Sequence, residues 1–142
     1  MEIFTTHIDL DTNGNTHIID ITRHAQDIIS EQLFTEGQLT IFTLGSTTGI
    51  STVEYEPGLV HHDIREMFHK IAPYNVPYKH NETWNDNNGA SHLRSTLIKT
   101  SMVFPFSKSK LILGTWQQII FLDFDTRPRN RQIVFQIIGI KK

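Results

Sequence analysis

The sequence predicts an α+β fold in which mixed or antiparallel β-sheets pack with about three helices. Two observations lead to this prediction. Segments rich in Ile, Val, Phe and Thr outnumber the amphipathic helical segments, and the two kinds do not alternate along the chain, as they would in a parallel sheet with crossover helices. The length of 142 residues fits one domain, assigned to residues 1–142.

The first half of the chain contains four predicted strands and one helix. The cluster Asn13-Gly14 favours a hairpin between the first two strands through positive φ. Apolar residues recur at helical spacing between Ile21 and Phe34, which predicts the first helix. The predicted strands are residues 2–10, 16–20, 38–44 and 48–55.

Two further helices and four strands are predicted in the second half. Pro57 suits the first turn of a helix that ends before Pro73, and Asn88 can cap another. The last strand is almost continuously apolar, which is typical of a central strand covered on both faces. The predicted strands are residues 101–106, 110–113, 118–125 and 132–139. The apolar residues expected to face the core are Val60, Ile64, Met67, Phe68 and Ile71 in one helix and Leu93, Leu97 and Ile98 in the other.

Composition narrows the classes of protein that the chain fits. The chain has no cysteine, which excludes a disulfide framework, a thiolate metal site and a cysteine nucleophile. No apolar run approaches the roughly 20 residues of a membrane span, and the N-terminus does not resemble a signal peptide. A net charge of −2 gives no general attraction for nucleic acid. We therefore expect a cytoplasmic protein that binds neither membranes nor nucleic acids.

The polar segment 78–92 is the strongest candidate for a functional site. It has one histidine near its start, His80, and another at its end, His92, and eight histidines in the chain are many for this length. A long polar loop in a compact domain is usually functional or disordered, and imidazole both titrates near neutral pH and binds metals. The segment predicts that the two imidazoles converge, as acid–base groups or as ligands of zinc or magnesium. A solvated loop with two surface histidines is the alternative.

Several other polar residues are candidates for the same site. Glu54 ends a strand just before a helix, and Asp63 borders the apolar face of that helix. Arg127, Arg129 and Arg131 place three guanidinium groups, which bind phosphate or carboxylate well, within five residues, although a solvated hairpin tip would look the same. A third protein ligand for a metal is not obvious from spacing.

Four motifs together resemble the YjbQ family, also called UPF0047, over nearly the whole chain. They are Tyr78-Lys-His-Asn-Glu, Asn88-Gly-Ala-Ser-His-Leu-Arg, Gly114-Thr-Trp-Gln-Gln-Ile and Phe124-Asp-Thr-Arg-Pro-Arg. Members of this family are commonly labelled secondary thiamine-phosphate synthase. That reaction joins a pyrimidine methyl diphosphate to a thiazole phosphate and releases pyrophosphate.

The resemblance implies a trimer of compact α+β domains, with a polar cleft near the subunit contacts and a small phosphorylated ligand. It implies no organic cofactor, although diphosphate chemistry usually needs a divalent cation. The residues that it places at the site are Glu54, Asp63, His80 and His92 as catalytic groups, and Ser46, Thr47, Asn88, Thr115, Gln117, Arg127 and Arg129 as substrate-binding groups.

One position departs from the family pattern. Many members have His-Thr-Thr where this chain has Gly45-Ser46-Thr47, so any imidazole contribution at that position is missing. Three functions therefore compete: a weak enzyme of the thiamine-phosphate synthase type, a metal-dependent hydrolase or lyase, and a non-enzymatic module that binds a small ligand or a metal.

Overall fold

The computed structural model describes all residues from Met1 to Lys142. It confirms the α+β class, with eight strands and four α-helices. The strands are β1 (Glu2–Thr12), β2 (His17–Asp20), β3 (Phe34–Thr43), β4 (Thr48–Val53), β5 (Ser101–Ser107), β6 (Lys110–Leu111), β7 (Gln118–Asp123) and β8 (Arg129–Lys141). The helices are α1 (Thr22–Glu31), α2 (Ile64–Ile71), α3 (Lys79–Trp84) and α4 (Gly89–Ile98), and a π-helical turn, Leu59–Asp63, runs directly into α2.

The strands form two antiparallel sheets. The larger sheet has the order β1-β8-β3-β5-β6, and the smaller one has the order β2-β7-β4. Because β1 and β2 belong to different sheets, the hairpin predicted at Asn13-Gly14 is wrong. The turn instead carries the chain between the sheets, and a Cβ at Gly14 would lie 2.5 Å from the main-chain oxygen of Asp125.

The main core lies between the inner face of the large sheet, one face of the small sheet and α1. A second, smaller core lies between the other face of the small sheet and α2. The strand covered on both faces is therefore β7, in which every residue from Ile119 to Asp123 is buried. The prediction of two covered faces for β8 is wrong, because its residues alternate between inside and outside and Ile140 is 53% exposed.

Helix α4 packs through small and polar side chains rather than through its leucines. Leu93 and Leu97 are exposed, contrary to prediction, and the buried residues are Gly89, Ala90, Ser91, Arg94 and Ser95. The small side chains let α4 lie close to β4, where a Cβ at Gly49 would come within 2.7 Å of Ile98. Met67 and Ile71 of α2 are also exposed, whereas Val60 and Phe68 are buried as predicted.

The polar segment is more ordered than the sequence indicates, since α3 occupies its first half. Asn88 does occupy the N-cap position of α4, but its side chain makes no capping hydrogen bond. None of the four helices combines the length and the apolar character that crossing a membrane requires.

Candidate functional site

The two histidines of the polar segment lie side by side. His80 is in the first turn of α3 and His92 is in the first turns of α4, and packing of these helices sets the ring centroids 4.4 Å apart at an angle of 58°. Both rings are half-buried. Because each imidazole is carried on a helix, the pair is held in place by secondary structure and not by a free loop.

Asn88 and Asp86 position the His80 ring. With its amide nitrogen turned towards them, Asn88 Nδ2 lies 3.1 and 3.2 Å from the two carboxylate oxygens of Asp86 and 3.1 Å from His80 Nε2, so its two hydrogens can serve both residues. That orientation suits the site because an ionised carboxylate only accepts hydrogen bonds. Asp86 Oδ1 also lies 3.4 Å from His80 Nε2, so the carboxylate faces this ring nitrogen.

A buried network of charges lies behind the histidines at the end of β7. Arg131 donates from Nε to Asp123 Oδ2 at 2.8 Å and from Nη2 to Asp123 Oδ1 at 3.0 Å. The same Nη2 lies 3.4 Å from Asp125 Oδ2 and donates to Thr47 Oγ1 at 2.7 Å. Arg129 pairs with Asp125 at 3.3 Å from the more exposed side.

Opposing effects set the pKa of Asp123 below its usual value. Burial raises the pKa of this carboxyl, but the hydrogen bonds from Arg131, the Thr12 hydroxyl and the main chain of Asp125 lower it by more. Asp123 is therefore ionised at neutral pH and fixes Arg131, which in turn fixes Asp125 and Thr47. This network therefore holds the side chains beneath the histidine pair in fixed positions.

The loop between β3 and β4 contributes its main chain. Thr47 is buried against Arg131, whereas the Ser46 side chain is exposed and makes no hydrogen bond, and the main chain of Ser46 faces the His92 ring. Gly45 precedes them at a φ of +127°, a conformation that residues with a side chain rarely adopt.

The electrostatic surroundings lower the pKa of His92. Burial is the main cause, and the neighbouring His80 adds to it, although Asp125, Asp86 and the main chain of Ser46 act in the opposite direction. His92 is therefore neutral at pH 7, the state in which imidazole accepts a proton.

A nuclear magnetic resonance titration should separate His92 from an exposed histidine. We expect His92 to titrate below the reference pKa of 6.5, because burial disfavours its charged form, and His62 to titrate above it, because His62 is hydrogen-bonded to Asp63. Ring proton shifts between pH 4.5 and 8.5 measure both, and Asp63→Asn should lower the pKa of His62 alone. A value for His92 at or above that of His62 would contradict the arrangement described here.

Other predicted residues lie away from the histidine pair. Gln117 donates to Thr52 at 3.2 Å near the far end of β4, where Val53 pairs with Gln118, and Glu54 and Thr115 follow at that end. Asp63 does not border the core as predicted but is exposed, and its partner is His62. Arg127 is exposed and makes no ion pair.

Sequence reasoning missed three carboxylates at this site, Asp86, Asp123 and Asp125. It grouped Arg131 with Arg127 and Arg129 as a guanidinium suited to phosphate or carboxylate, but not as the buried partner of two carboxylates of this chain. The pattern Asp-Phe-Asp at the end of an apolar strand was the available signal, since two carboxylates beside a buried strand require a cation, and Arg131 is six residues after Asp125.

The side chains of a single chain fit a metal site poorly. No group of three or more His, Asp and Glu side chains is arranged to hold an ion. A zinc site normally has at least three protein ligands, and magnesium prefers oxygen ligands. His80 and His92 supply two nitrogen ligands, so a metal would need a further ligand from outside the chain.

The fold and the site together define a class: a two-sheet α+β domain with a paired-histidine site at the end of its central buried strand. The model of the family described as UPF0047 protein YjbQ-like matches residues 6–140, and the chain belongs to that family. The resemblance drawn from the four motifs is thereby confirmed.

Relatives and solved structures agree with this assignment. A UPF0047 protein of Archaeoglobus fulgidus is 37% identical over 131 residues, covering 92% of this chain and 98% of the relative. UPF0047 protein YugU of Bacillus subtilis is 30% identical over 133 residues, covering 93% of this chain and 97% of the relative. The crystal structure of a hypothetical protein from Aeropyrum pernix matches with a TM-score of 0.89 at 30% identity, covering 99% of this chain and 100% of that one.

Proposed function

We propose that the protein is an acid–base enzyme that acts on a small phosphorylated molecule in the cytoplasm. The observation that carries the proposal is the contact between two half-buried imidazoles whose surroundings differ. Pairs of titratable groups in unlike environments are typical of acid–base sites.

The environments assign the roles. His92 is the general base, because its lowered pKa keeps the ring neutral. His80 is assigned as the general acid, because a carboxylate oxygen, Asp86 Oδ1, faces its Nε2 at 3.4 Å. Arg129 is the cation available to bind the substrate phosphate. When Nε2 of His80 carries the proton, it donates to Asn88 Oδ1 at 3.1 Å, so Asn88 orients the acid.

Replacement of either histidine should therefore remove activity without unfolding the protein. We expect His92→Ala and His80→Ala each to lower turnover by about 10²–10⁴-fold, the usual contribution of one acid–base group. The measurement is turnover of a panel of phosphorylated metabolites, with circular dichroism to confirm folding. The exposed His24, on α1, is the matched control for histidine removal. Turnover that survives both substitutions would remove the proposal.

Thiamine-phosphate synthase activity is a second candidate, favoured by the resemblance alone. Its diphosphate leaving group needs cationic stabilisation, usually from magnesium. The histidine pair is poorly suited to magnesium, and Gly45 lacks the imidazole that many members carry. We infer that this activity is very low in the wild-type protein.

We further propose that the working unit is a homotrimer. Thr48 pairs with Asp123 at the histidine end of the small sheet, and Val53 pairs with Gln118 at the other end. The two ends are about 17 Å apart, so one chain cannot bring Glu54, Thr115 or Gln117 to its own histidines. A closed ring of copies can bring the far end of one chain to the histidine end of its neighbour.

Exposed apolar side chains supply a surface for that assembly. Val103, Ile138 and Ile140 lie on the outer face of the large sheet, and Trp116, beside Gln117, is 72% exposed. Light scattering at micromolar concentration should give three times the chain mass of 16.4 kDa. Trp116→Lys should weaken the assembly by placing a charge at the contact. A monomer would remove both the trimer and the shared cleft.

A further inference from the structure

A second polar cleft, unrelated to the histidine pair, lies between α2, α4 and the β1–β2 turn. Its volume is about 260 Å³. The residues that line it are Asn15, Thr16, Arg65, Glu66, His69, Tyr74 and Arg94. Two guanidiniums and one carboxylate thus share a small open space, and the cleft carries a net positive charge.

Arg94 is a buried cation with no anion beside it. The residue is 2% exposed, and it donates from Nε to the Ala72 oxygen at 2.9 Å and from Nη1 to Thr16 Oγ1 at 2.7 Å. Both acceptors are neutral, no carboxylate lies within ion-pair distance, and Nη2 makes no hydrogen bond within the protein. The Tyr74 ring covers one face of the guanidinium at 4.0 Å. Buried charges in proteins are usually paired, so this guanidinium lacks its expected partner.

Arg65, on the other side of the cleft, also lacks an anionic partner. Its only hydrogen bond runs from Nη1 to the Asn15 main-chain oxygen at 3.1 Å, and its buried Nε has no partner. Glu66, next to it in the chain, is exposed and forms no ion pair with either arginine. An unpaired buried N–H is costly in a folded protein and indicates a group that is satisfied by something else.

We propose that this cleft binds a phosphate group, free or as a phosphomonoester. A phosphate in the cleft would accept hydrogen bonds from Nη2 of Arg94 and from the outer guanidinium nitrogens of Arg65, and it would supply the negative charge that both cations lack. His69, on α2 one turn after Arg65, and Asn15 lie on the rim as further donors. Three equivalent oxygens would satisfy more of these donors than the two oxygens of a carboxylate.

The cleft is separate from the paired-histidine site. Tyr74 and Ser91 both donate to the main-chain oxygen of Phe124, at 2.5 and 2.6 Å, and form a wall at that point. Arg94 and His92 lie two residues apart on α4, about 200° around the helix, so their side chains point to different faces. Phosphate bound by the arginines would therefore not touch the imidazoles.

Thermal unfolding of the full chain with inorganic phosphate tests this site. A ligand that binds only the folded state raises the midpoint with concentration, and sodium chloride at equal ionic strength corrects for screening. We expect phosphate to stabilise the wild type and Arg65→Gln to bind it about tenfold more weakly or worse, because charged hydrogen bonds are lost. Arg94→Lys, which keeps the charge but loses the fork, should also bind more weakly.

Two controls decide where the phosphate binds. Arg23→Gln removes a cation on α1 that is 94% exposed and pairs only with Asp27, so it should bind phosphate as the wild type does. In His80→Ala and His92→Ala, the Nε resonances of Arg65 and Arg94 should still shift with phosphate. The proposal is overturned if phosphate stabilises no more than sodium chloride, if Arg65→Gln behaves like Arg23→Gln, or if the histidine substitutions abolish the shifts.

Discussion

Replacing Arg131 by methionine should destabilise the protein by about 3–5 kcal/mol, the usual cost of removing one partner from a buried ion pair. The Arg131 side chain is 7% exposed and holds two carboxylates, Asp123 and Asp125, that are 0% and 5% exposed. Methionine would fill a similar volume but leave buried Asp123 without a cationic partner and Asp125 with Arg129 alone. Urea unfolding at pH 7 measures the loss.

Arg129→Met is the matched control, because it removes the same type of side chain from the same strand. Arg129 is 33% exposed and pairs with Asp125 alone, so its loss should cost about 1 kcal/mol or less. Adding Asp123→Asn to Arg131→Met should restore part of the stability by removing one unpaired charge. Equal effects of the two arginine substitutions would show that the buried network is not what fixes this end of β7.

The pH dependence of the free energy of unfolding should also show the contribution of this network. The pKa of Asp123 is lowered in the folded state, so its contribution to stability is present above the carboxyl reference value of 3.8 and is lost as the pH falls through the lower folded value. In Arg131→Met the sign reverses, because protonation of Asp123 would relieve an unpaired charge. The difference in stability between variant and wild type should therefore shrink below pH 4.

Gly45→His should raise thiamine-phosphate synthase activity by up to about 10²–10⁴-fold if an imidazole at this position acts as a base, as the family resemblance implies. A Cβ at Gly45 would lie 3.4 Å from Arg131 Nη1 and 3.7 Å from Thr48 Oγ1, so a Cβ atom fits there without a clash. The backbone is less tolerant: at a φ of +127° a residue with a side chain is strained, by about 1–3 kcal/mol.

Gly45→Ala separates these two effects, since it introduces the strain without the imidazole. Both variants should unfold at lower temperature than the wild type, and only the histidine variant should gain turnover in an assay with both thiamine precursors and magnesium. Robust turnover by the wild type, unchanged in His80→Ala and His92→Ala, would refute both the weak activity and the assigned site.

Local sequence signals were sufficient for α1, α2, α4, most of the strands and the histidine pair, but not for α3, which lies in the segment predicted as a loop. The apolar periodicity of residues 21–34 and the alternation in the strands are properties of short windows, and the structure contains α1 and the strands that they predict. His80 and His92 could be recognised as candidate site residues because polar residues surround them in the sequence. The short helices α3 and α4 then bring the two rings together.

Local sequence patterns could not identify the charged residues that form the rest of the site. Arg131 lies on β8 and Asp123 lies on β7, and these strands belong to different sheets. Their pairing could therefore be assigned only from the tertiary structure. The prediction that Leu93 and Leu97 are buried was wrong for a related reason. Apolar spacing predicts a buried helix face, but α4 packs so closely on β4 that its small residues form the buried face instead.

The sequence by itself determined the α+β class, the family and the polar segment with its two histidines, because each of these depends on residue types in contiguous motifs. The tertiary structure alone decided which charges are buried. It pairs Arg131 with two carboxylates and leaves Arg94 with none, and it places Glu54 and Gln117 at the far end of the small sheet from His92. The physical reason is that burial and charge pairing depend on contacts between residues far apart in the chain, which no local pattern encodes.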